Sequence, residues 1–228
     1  MDEVKIVEIK EDIVSRNNEQ AKQIRAELAD QKVFLLNVMS SPGSGKTTLL
    51  TALINRLKSR FSIGVIEADI DSAVDAETIA AKTGVKTIQM HTAGACHITC
   101  QMSWEALCAL GIEGLDMVVL ENIGNLVCPA EFDTGADANL VLLSVPEGDD
   151  KPIKYPLMFE VADIVAVTKT DVMPVFDFDK ERVSANVKRR NDKSPVFFVS
   201  APLGVGIEEL ADYIGDLVAG KMAKHGKK

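Results

Sequence analysis

Apolar residues along this chain gather into short runs separated by polar, glycine-bearing stretches. Seven runs stand out: Lys32–Met39, Ile63–Ala68, Lys86–Met90, Met117–Leu120, Leu140–Val145, Ile164–Val167 and Val196–Val199. They are rich in Val, Ile and Leu and lack a polar alternation. That pattern belongs to strands covered on both faces, as in a parallel sheet between helices. Helical or loop stretches separate most of them. Thr47–Arg60 carries a helical pattern. Asp12–Asp30 places Ile13, Ala21, Ile24 and Leu28 among charges, which predicts an N-terminal amphipathic helix. The order predicts an α/β fold of three layers, with a mostly parallel central sheet flanked by helices.

Length and composition narrow this picture. The 228 residues suffice for one large domain, and hydrophobic residues make up 46%. The expected division is a helical segment over 1–30, a main domain over 31–220 and a basic tail over 221–228, expected to fray. No apolar stretch is long enough to span a membrane. The first twelve residues are charged throughout and lack the apolar centre of a secretory signal, so the cytoplasm is the expected compartment. A net charge of −9 argues against a general nucleic-acid binder, which needs a basic face. Four cysteines in such a chain read as thiols or metal ligands rather than disulfides.

The chemistry begins at Ser40-Ser-Pro-Gly-Ser-Gly-Lys-Thr47, between a strand and a helix. This is a P-loop, G-x-x-x-x-G-K-[ST], with Ser40 in place of the first glycine. The expected phosphate-binding set is Gly43, Ser44, Gly45, Lys46, Thr47 and Thr48. The glycines let backbone N–H groups face a phosphate, and the helix N-terminus adds its positive end. Lys46 reaches the β- and γ-phosphates, and Thr47 offers a hydroxyl to Mg²⁺. Glu121 ends a buried strand, where an α/β sheet collects its ligands, and Gly124 follows in position to donate to the γ-phosphate. Asp69, Asp71 and Asp75 follow another strand. Asp69, closest to it, is the better candidate for Mg²⁺ or the attacking water; acids at a helix start account for the others as readily.

The base is read further along. Asp163–Asp171 is a strand followed by T-K-x-D, close to the N-K-x-D of guanine-binding P-loop proteins. The Asp171 carboxylate accepts from guanine N1–H and N2–H₂ together. Adenine lacks that donor pair, and such a site rejects it by up to about 10⁴-fold. Lys169 lays its stem along the base. Thr168 replaces the usual asparagine. Ser200 and Ala201, in Val199-Ser-Ala-Pro202, match the loop that meets the guanine oxygen with backbone N–H groups.

A second cluster has another chemistry. Cys96, His97 and Cys100 lie within five residues, and Cys128 follows Gly124 by four. Thiolate and imidazole suit Zn²⁺, Ni²⁺ or Cu. Cys96, His97 and Cys128 supply three ligands. Cys100 is a candidate fourth, if positions four apart share a helix face. Alternatively, two chains pool their ligands across a two-fold axis. Buried thiols near a loop would give the same spacing. Cys108 sits in an apolar helical stretch and reads as a small core residue.

Together these stretches resemble the HypB-type GTPases, of the SIMIBI class, which help insert nickel into nickel–iron hydrogenase. The likeness runs from about Asn17 to Val218. Beyond the P-loop and Gly94-Ala-Cys-His97, it is carried by Glu121-Asn-Ile-Gly-Asn-Leu-Val-Cys-Pro129, Ser144-Val-Pro-Glu-Gly-Asp-Asp-Lys-Pro152 and Tyr155-Pro-Leu-Met-Phe159. The resemblance implies a P-loop NTPase fold, GTP and GDP with Mg²⁺ as ligands, and dimerisation on binding GTP. It implies Ni²⁺ or Zn²⁺ on Cys96, His97 and Cys128 at the dimer interface. It also implies a HypA-type metallochaperone partner and the hydrogenase large subunit as client. Gln101 stands where the family often has histidine, and Cys100 is new. A GTPase serving urease or CO dehydrogenase is the nearest alternative. A small-molecule kinase would need an arginine-rich lid, and no such segment is present.

Overall fold

The structure, a computed structural model, describes residues 9–69 and 72–224. Asp71 and residues 225–228 of the basic tail lie outside them. Helix α1 (Ile9–Asp30) precedes β1 (Phe34–Ser40), α2 (Lys46–Leu57), β2 (Ile63–Asp69), α3 (Val74–Thr83) and β3 (Lys86–His91). Then come α4 (Cys100–Leu110), β4 (Met117–Glu121), the short α5 (Cys128–Glu131) and β5 (Ala138–Ser144). Short helices α6 (Lys151–Lys154) and α7 (Pro156–Glu160) lead to β6 (Ile164–Thr168), α8 (Lys180–Arg190), β7 (Val196–Phe198) and α9 (Ile207–Lys224). The seven strands form one sheet in the order β3-β2-β4-β1-β5-β6-β7. Every strand pairing in it is parallel.

Alternation along β1 shows how the layers form. Leu36 and Val38 face one side, where α2 and α9 pack with Leu50, Leu53, Leu210 and Ile214. Leu35 faces the other side, toward Ala21, Ile24 and Leu28 of α1 and Leu107 of α4. Met39 shares that second side with Phe159 of α7 and Val183 and Val187 of α8. A period of two therefore feeds two helical layers, as a doubly covered sheet requires.

Three expectations change here. Ile13 is 51% exposed, and the inward line of α1 is Asn17, Ala21, Ile24 and Leu28. Cys108 is exposed rather than in the core. The inward positions of α4 are Cys100, Ser103, Ala106, Leu107 and Leu110, and Cys108 lies one step of about 100° beyond Leu107. The described residues of the tail, 221–224, are helical. Helix α9 continues through Lys224, and Lys221 Nζ reaches Asp137 Oδ2 and the Val33 carbonyl, both at 2.6 Å.

Asn17 is a buried polar residue in an apolar line. Its Nδ2 donates to the Asp133 carbonyl at 2.7 Å, and its Oδ1 accepts from the Cys100 N–H at 2.8 Å. That N–H belongs to the first turn of α4, which has no partner inside its own helix. Arg25 adds an ion pair to Asp133 at 2.6 Å. Helix α1 is thereby fastened to α4 and to the chain entering β5.

Candidate functional site

The carboxyl edge of the parallel sheet gathers the candidate residues. Ser40 ends β1, Asp69 ends β2, Glu121 ends β4 and Thr168 ends β6. Ligands of open α/β sheets bind at this edge.

The P-loop is built around Gly43 and Gly45, both in left-handed backbone at φ of 74° and 95°. Gly45 caps α2 with no side-chain hydrogen bond, so the first N–H groups of that helix stay available to an anion. The departure at Ser40 has a structural use. Its buried hydroxyl accepts from Ser44 Oγ at 2.7 Å and from Lys46 Nζ at 3.2 Å, so it holds the loop and its lysine together. Ser41 Oγ donates to Glu147, whose other oxygen takes the N–H and the hydroxyl of Ser144 at 2.8 and 2.7 Å. Glu147 was no candidate in the sequence. It fastens the P-loop to the turn after β5.

Thr168 donates its hydroxyl to the Ser44 carbonyl at 2.6 Å, and Lys169 Nζ donates to the Gly43 carbonyl at the same distance. The base loop and the phosphate loop are therefore joined directly. The threonine that stands in place of asparagine makes one of these bonds. Ser200 Oγ donates to Asp171 Oδ1 at 2.7 Å and fixes the carboxylate. A Ser200–Val205 bridge shapes the loop that carries Ala201. A cavity of about 250 Å³ opens between Gly45, Thr48, Lys169, Asp171 and Ala201. The sequence-predicted base residues and part of the P-loop thus line one space.

The acids group differently from the expectation. Glu67, Asp75 and Glu121 place ligand oxygens within 4.8 Å of one another. Asp69 is outside that trio; its Oδ1 accepts from the Ser72 N–H at 2.8 Å. Glu67 was missed in the sequence, although it is the charged residue inside an apolar strand. Parallel register sets Glu67 beside Glu121 on neighbouring strands. Both are buried, and Oε2 of each lacks a hydrogen-bond partner. Burial is the main cause that pushes the Glu67 carboxyl up to about 7 and the Glu121 carboxyl up to about 8, against the pull of Lys46 on both. Orphaned buried carboxylate oxygens beside a phosphate loop are a donor set that fits a hard divalent cation such as Mg²⁺.

A pH dependence follows. A carboxyl whose folded pKa is raised favours the fold while it is protonated. Its contribution is present below about 4.5, its ordinary value, and is lost as pH rises through about 7 and about 8. Urea denaturation with a chelator present should therefore show falling stability from about pH 5 to about pH 8. Glu67→Gln should flatten that slope, and an equal slope in the variant would remove Glu67 from the account.

Gly124 packs on the P-loop. A Cβ there would lie 3.0 Å from Pro42 Cγ and 3.1 Å from Pro42 N. The second neighbour is backbone and yields only if the loop moves. Gly124→Ala is expected to cost about 1–3 kcal/mol as overpacking. It should appear as roughly tenfold weaker nucleotide binding in a fluorescent-analogue titration. Unchanged affinity would show that the loop absorbs the methyl group.

Cys96 and His97 lie in the loop before α4, and Cys128 opens α5. Cys96 Sγ is 3.7 Å from His97 Nδ1. Interaction with the Cys128 thiol is the first cause that raises the Cys96 thiol, so the two sulfurs are neighbours. The His97 ring stacks on Phe132 at 3.9 Å, with 19° between planes. Cys100 does not join them as the four-residue spacing suggested. Helix α4 begins only at Cys100, so no helical face links Cys100 to Cys96. Cys100 is fully buried, and burial is the main cause that pushes its thiol up to about 11. Among the described residues, Cys96, His97 and Cys128 do not all bring ligand atoms within 4.8 Å of one another, as the carboxylate trio does; two thiols and an imidazole are ligand types that suit Ni²⁺ or Zn²⁺.

Comparison with known proteins places the chain in a family. The family profile described as "CobW/HypB/UreG, nucleotide-binding domain" matches residues 34–198. Hydrogenase maturation factor HypB of Escherichia coli K12 is 39% identical over 214 residues, covering 94% of this chain and 73% of that protein. Hydrogenase/urease maturation factor HypB of Helicobacter hepaticus is 42% identical over 214 residues, covering 92% and 87%. Among solved structures, HypB from Helicobacter pylori in complex with nickel superposes with a TM-score of 0.85 at 36% identity, covering 91% of this chain and 97% of that one.

Proposed function

We propose, on the premise that this chain belongs to the HypB branch of the CobW/HypB/UreG family, that it is a GTP-hydrolysing nickel chaperone for maturation of nickel–iron hydrogenase. Lys46 and the N–H groups of the P-loop take the phosphates. Thr47 and Glu121, with Glu67 and Asp75, would hold Mg²⁺, which would supply charge neutralisation at the phosphates. Asp69 stays a candidate for placing the attacking water. In-line attack by water asks for positioning and charge neutralisation, and these residues supply both. Asp171 reads guanine, Ser200 orients it, and the Ala201 loop meets the base oxygen.

Cys96, His97 and Cys128 hold Ni²⁺ or Zn²⁺ as cargo. Each chain supplies three ligands, so a dimer closed by GTP pools two sets. A HypA-type metallochaperone and the hydrogenase large subunit are the expected partner and client. The relative named a hydrogenase/urease maturation factor favours urease as a second client. One observation carries the coupling of nucleotide to metal. Gly124 rests on the P-loop, and Cys128, a neighbour of Cys96, follows it by four residues. Loss of the γ-phosphate would move a segment that already ends in a metal ligand. The test is titration with Ni²⁺ in GDP and in a non-hydrolysable GTP analogue. Distinct affinities are expected; identical ones would sink the coupling.

A further inference from the structure

The metal ligands occupy two segments, and only one of them is continuous in chain with Gly124. Cys128 follows Gly124 by four residues in the same segment. Cys96 and His97 sit on a separate loop between β3 and α4. That loop is pinned at its start: Thr92 N–H donates to the Asp69 carbonyl at 3.2 Å, and the Thr92 hydroxyl donates to the Ala95 carbonyl at 3.0 Å. Its far end meets the Gly124 segment through a side chain. Asn125, the residue after Gly124, donates Nδ2–H to the Cys96 carbonyl at 3.2 Å. Its Oδ1 accepts from the Val127 N–H at 2.9 Å. One half-buried amide thus grips the backbone on both sides of the metal ligands. One grip is on the residue that carries the Cys96 thiol. The other is on the residue before Cys128.

We propose that Asn125 is the positioning residue that transmits the nucleotide state to Cys96 and His97. The inference rests on the metal-coupling reading above and assigns that coupling to a named group. Gly124 packs against Pro42, so the 124–125 peptide cannot shift without regard to the P-loop. When that peptide moves with the γ-phosphate, the Asn125 amide carries the Cys96 carbonyl with it. It then changes the position of the Cys96–His97 pair relative to Cys128. Without the amide, Cys128 still follows the nucleotide and the other two ligands do not. Coupling of this kind is a difference in metal affinity between two states, and only that difference measures it.

The amide's two bonds separate chemically. Asn125→Asp keeps an oxygen for the Val127 N–H and loses the donor to the Cys96 carbonyl. Asn125→Ala loses both. The added charge of the aspartate acts on the metal in both nucleotide states and largely cancels in their ratio. The measurement is Ni²⁺ affinity of the full chain by competition with a chelator, in GDP and in a GTP analogue. Both variants should bring the ratio of the two affinities toward one by about 2- to 10-fold, the worth of one hydrogen bond. A wild-type ratio different from one that survives in Asn125→Asp would overturn the assignment, even if Asn125→Ala lowers it. That outcome would credit the Val127 grip alone. A wild-type ratio of one would overturn the nucleotide–metal coupling itself and this inference with it.

Discussion

Lys46→Ala is expected to lower phosphate release from GTP by at least about 100-fold, the usual loss when one preorganised charge is removed from a developing anion. The lysine is placed by a contact within its own loop. Its ammonium is held 3.2 Å from the Ser40 hydroxyl, at the start of helix α2. Alanine removes the charge and leaves the glycines, so the fold should survive with a melting temperature close to that of the parent. A second signature accompanies the first. Lys46 is a cause that lowers the carboxyls of Glu67 and Glu121. Its loss lets both rise further, so protonation of the carboxylate pair should extend to higher pH. Phosphate release assayed against free Mg²⁺ at pH 7 and 8.5 reads both effects. A variant within threefold of the parent would show that the lysine does not meet the phosphates.

The next largest effect is expected at the base. Asp171→Asn should weaken GTP binding by about 100-fold or more and leave ATP binding nearly unchanged. A carboxylate that accepts from two N–H groups contributes through charge-assisted bonds of roughly 1.5–3 kcal/mol each. An amide keeps the shape but turns one acceptor into a donor, which then faces the donors of guanine. Ser200 sharpens this prediction. Its hydroxyl fixes Asp171 Oδ1 at 2.7 Å, so the carboxylate is presented in one orientation. Ser200→Ala should lose a smaller part of the preference, about 3- to 10-fold. Competition of GTP and ATP for a labelled nucleotide measures both variants. A parent protein that prefers GTP by less than tenfold would remove guanine from the reading.

Much of this architecture could be read along the chain because it is local. A buried parallel strand announces itself by its own residues, and all seven runs became strands of one sheet. The P-loop and the base loop are short motifs at strand ends, and the cavity beside Asp171 unites them. What escaped was fixed by contacts between distant segments. Glu67 acquires meaning only when β2 and β4 align it with Glu121. Glu147 looks like a turn residue until β5 delivers it to Ser41. Cys100 had the right spacing from Cys96, but spacing implies a shared face only within one helix, and that helix starts too late. Cys108 shows the converse. Its stretch is apolar enough for a core, and a single step of helical phase turns it outward. Thr168 looked like a defect in the base motif until its hydroxyl was found on the Ser44 carbonyl, 124 positions away.

The Asn17 clasp has a consequence for how the molecule breathes. The first turn of α4 owes one of its backbone bonds to a side chain of α1, and α1 in turn grips the chain before β5. Local opening in proteins proceeds by cooperative groups of elements rather than residue by residue. Here α1 and the start of α4 belong to one such group. Deuterium should therefore enter the amide of Cys100 at the rate at which α1 lifts from the sheet. The Cys96–His97 loop just before α4 would gain freedom in the same event, which makes the N-terminal helix a silent stabiliser of the proposed metal-binding surface.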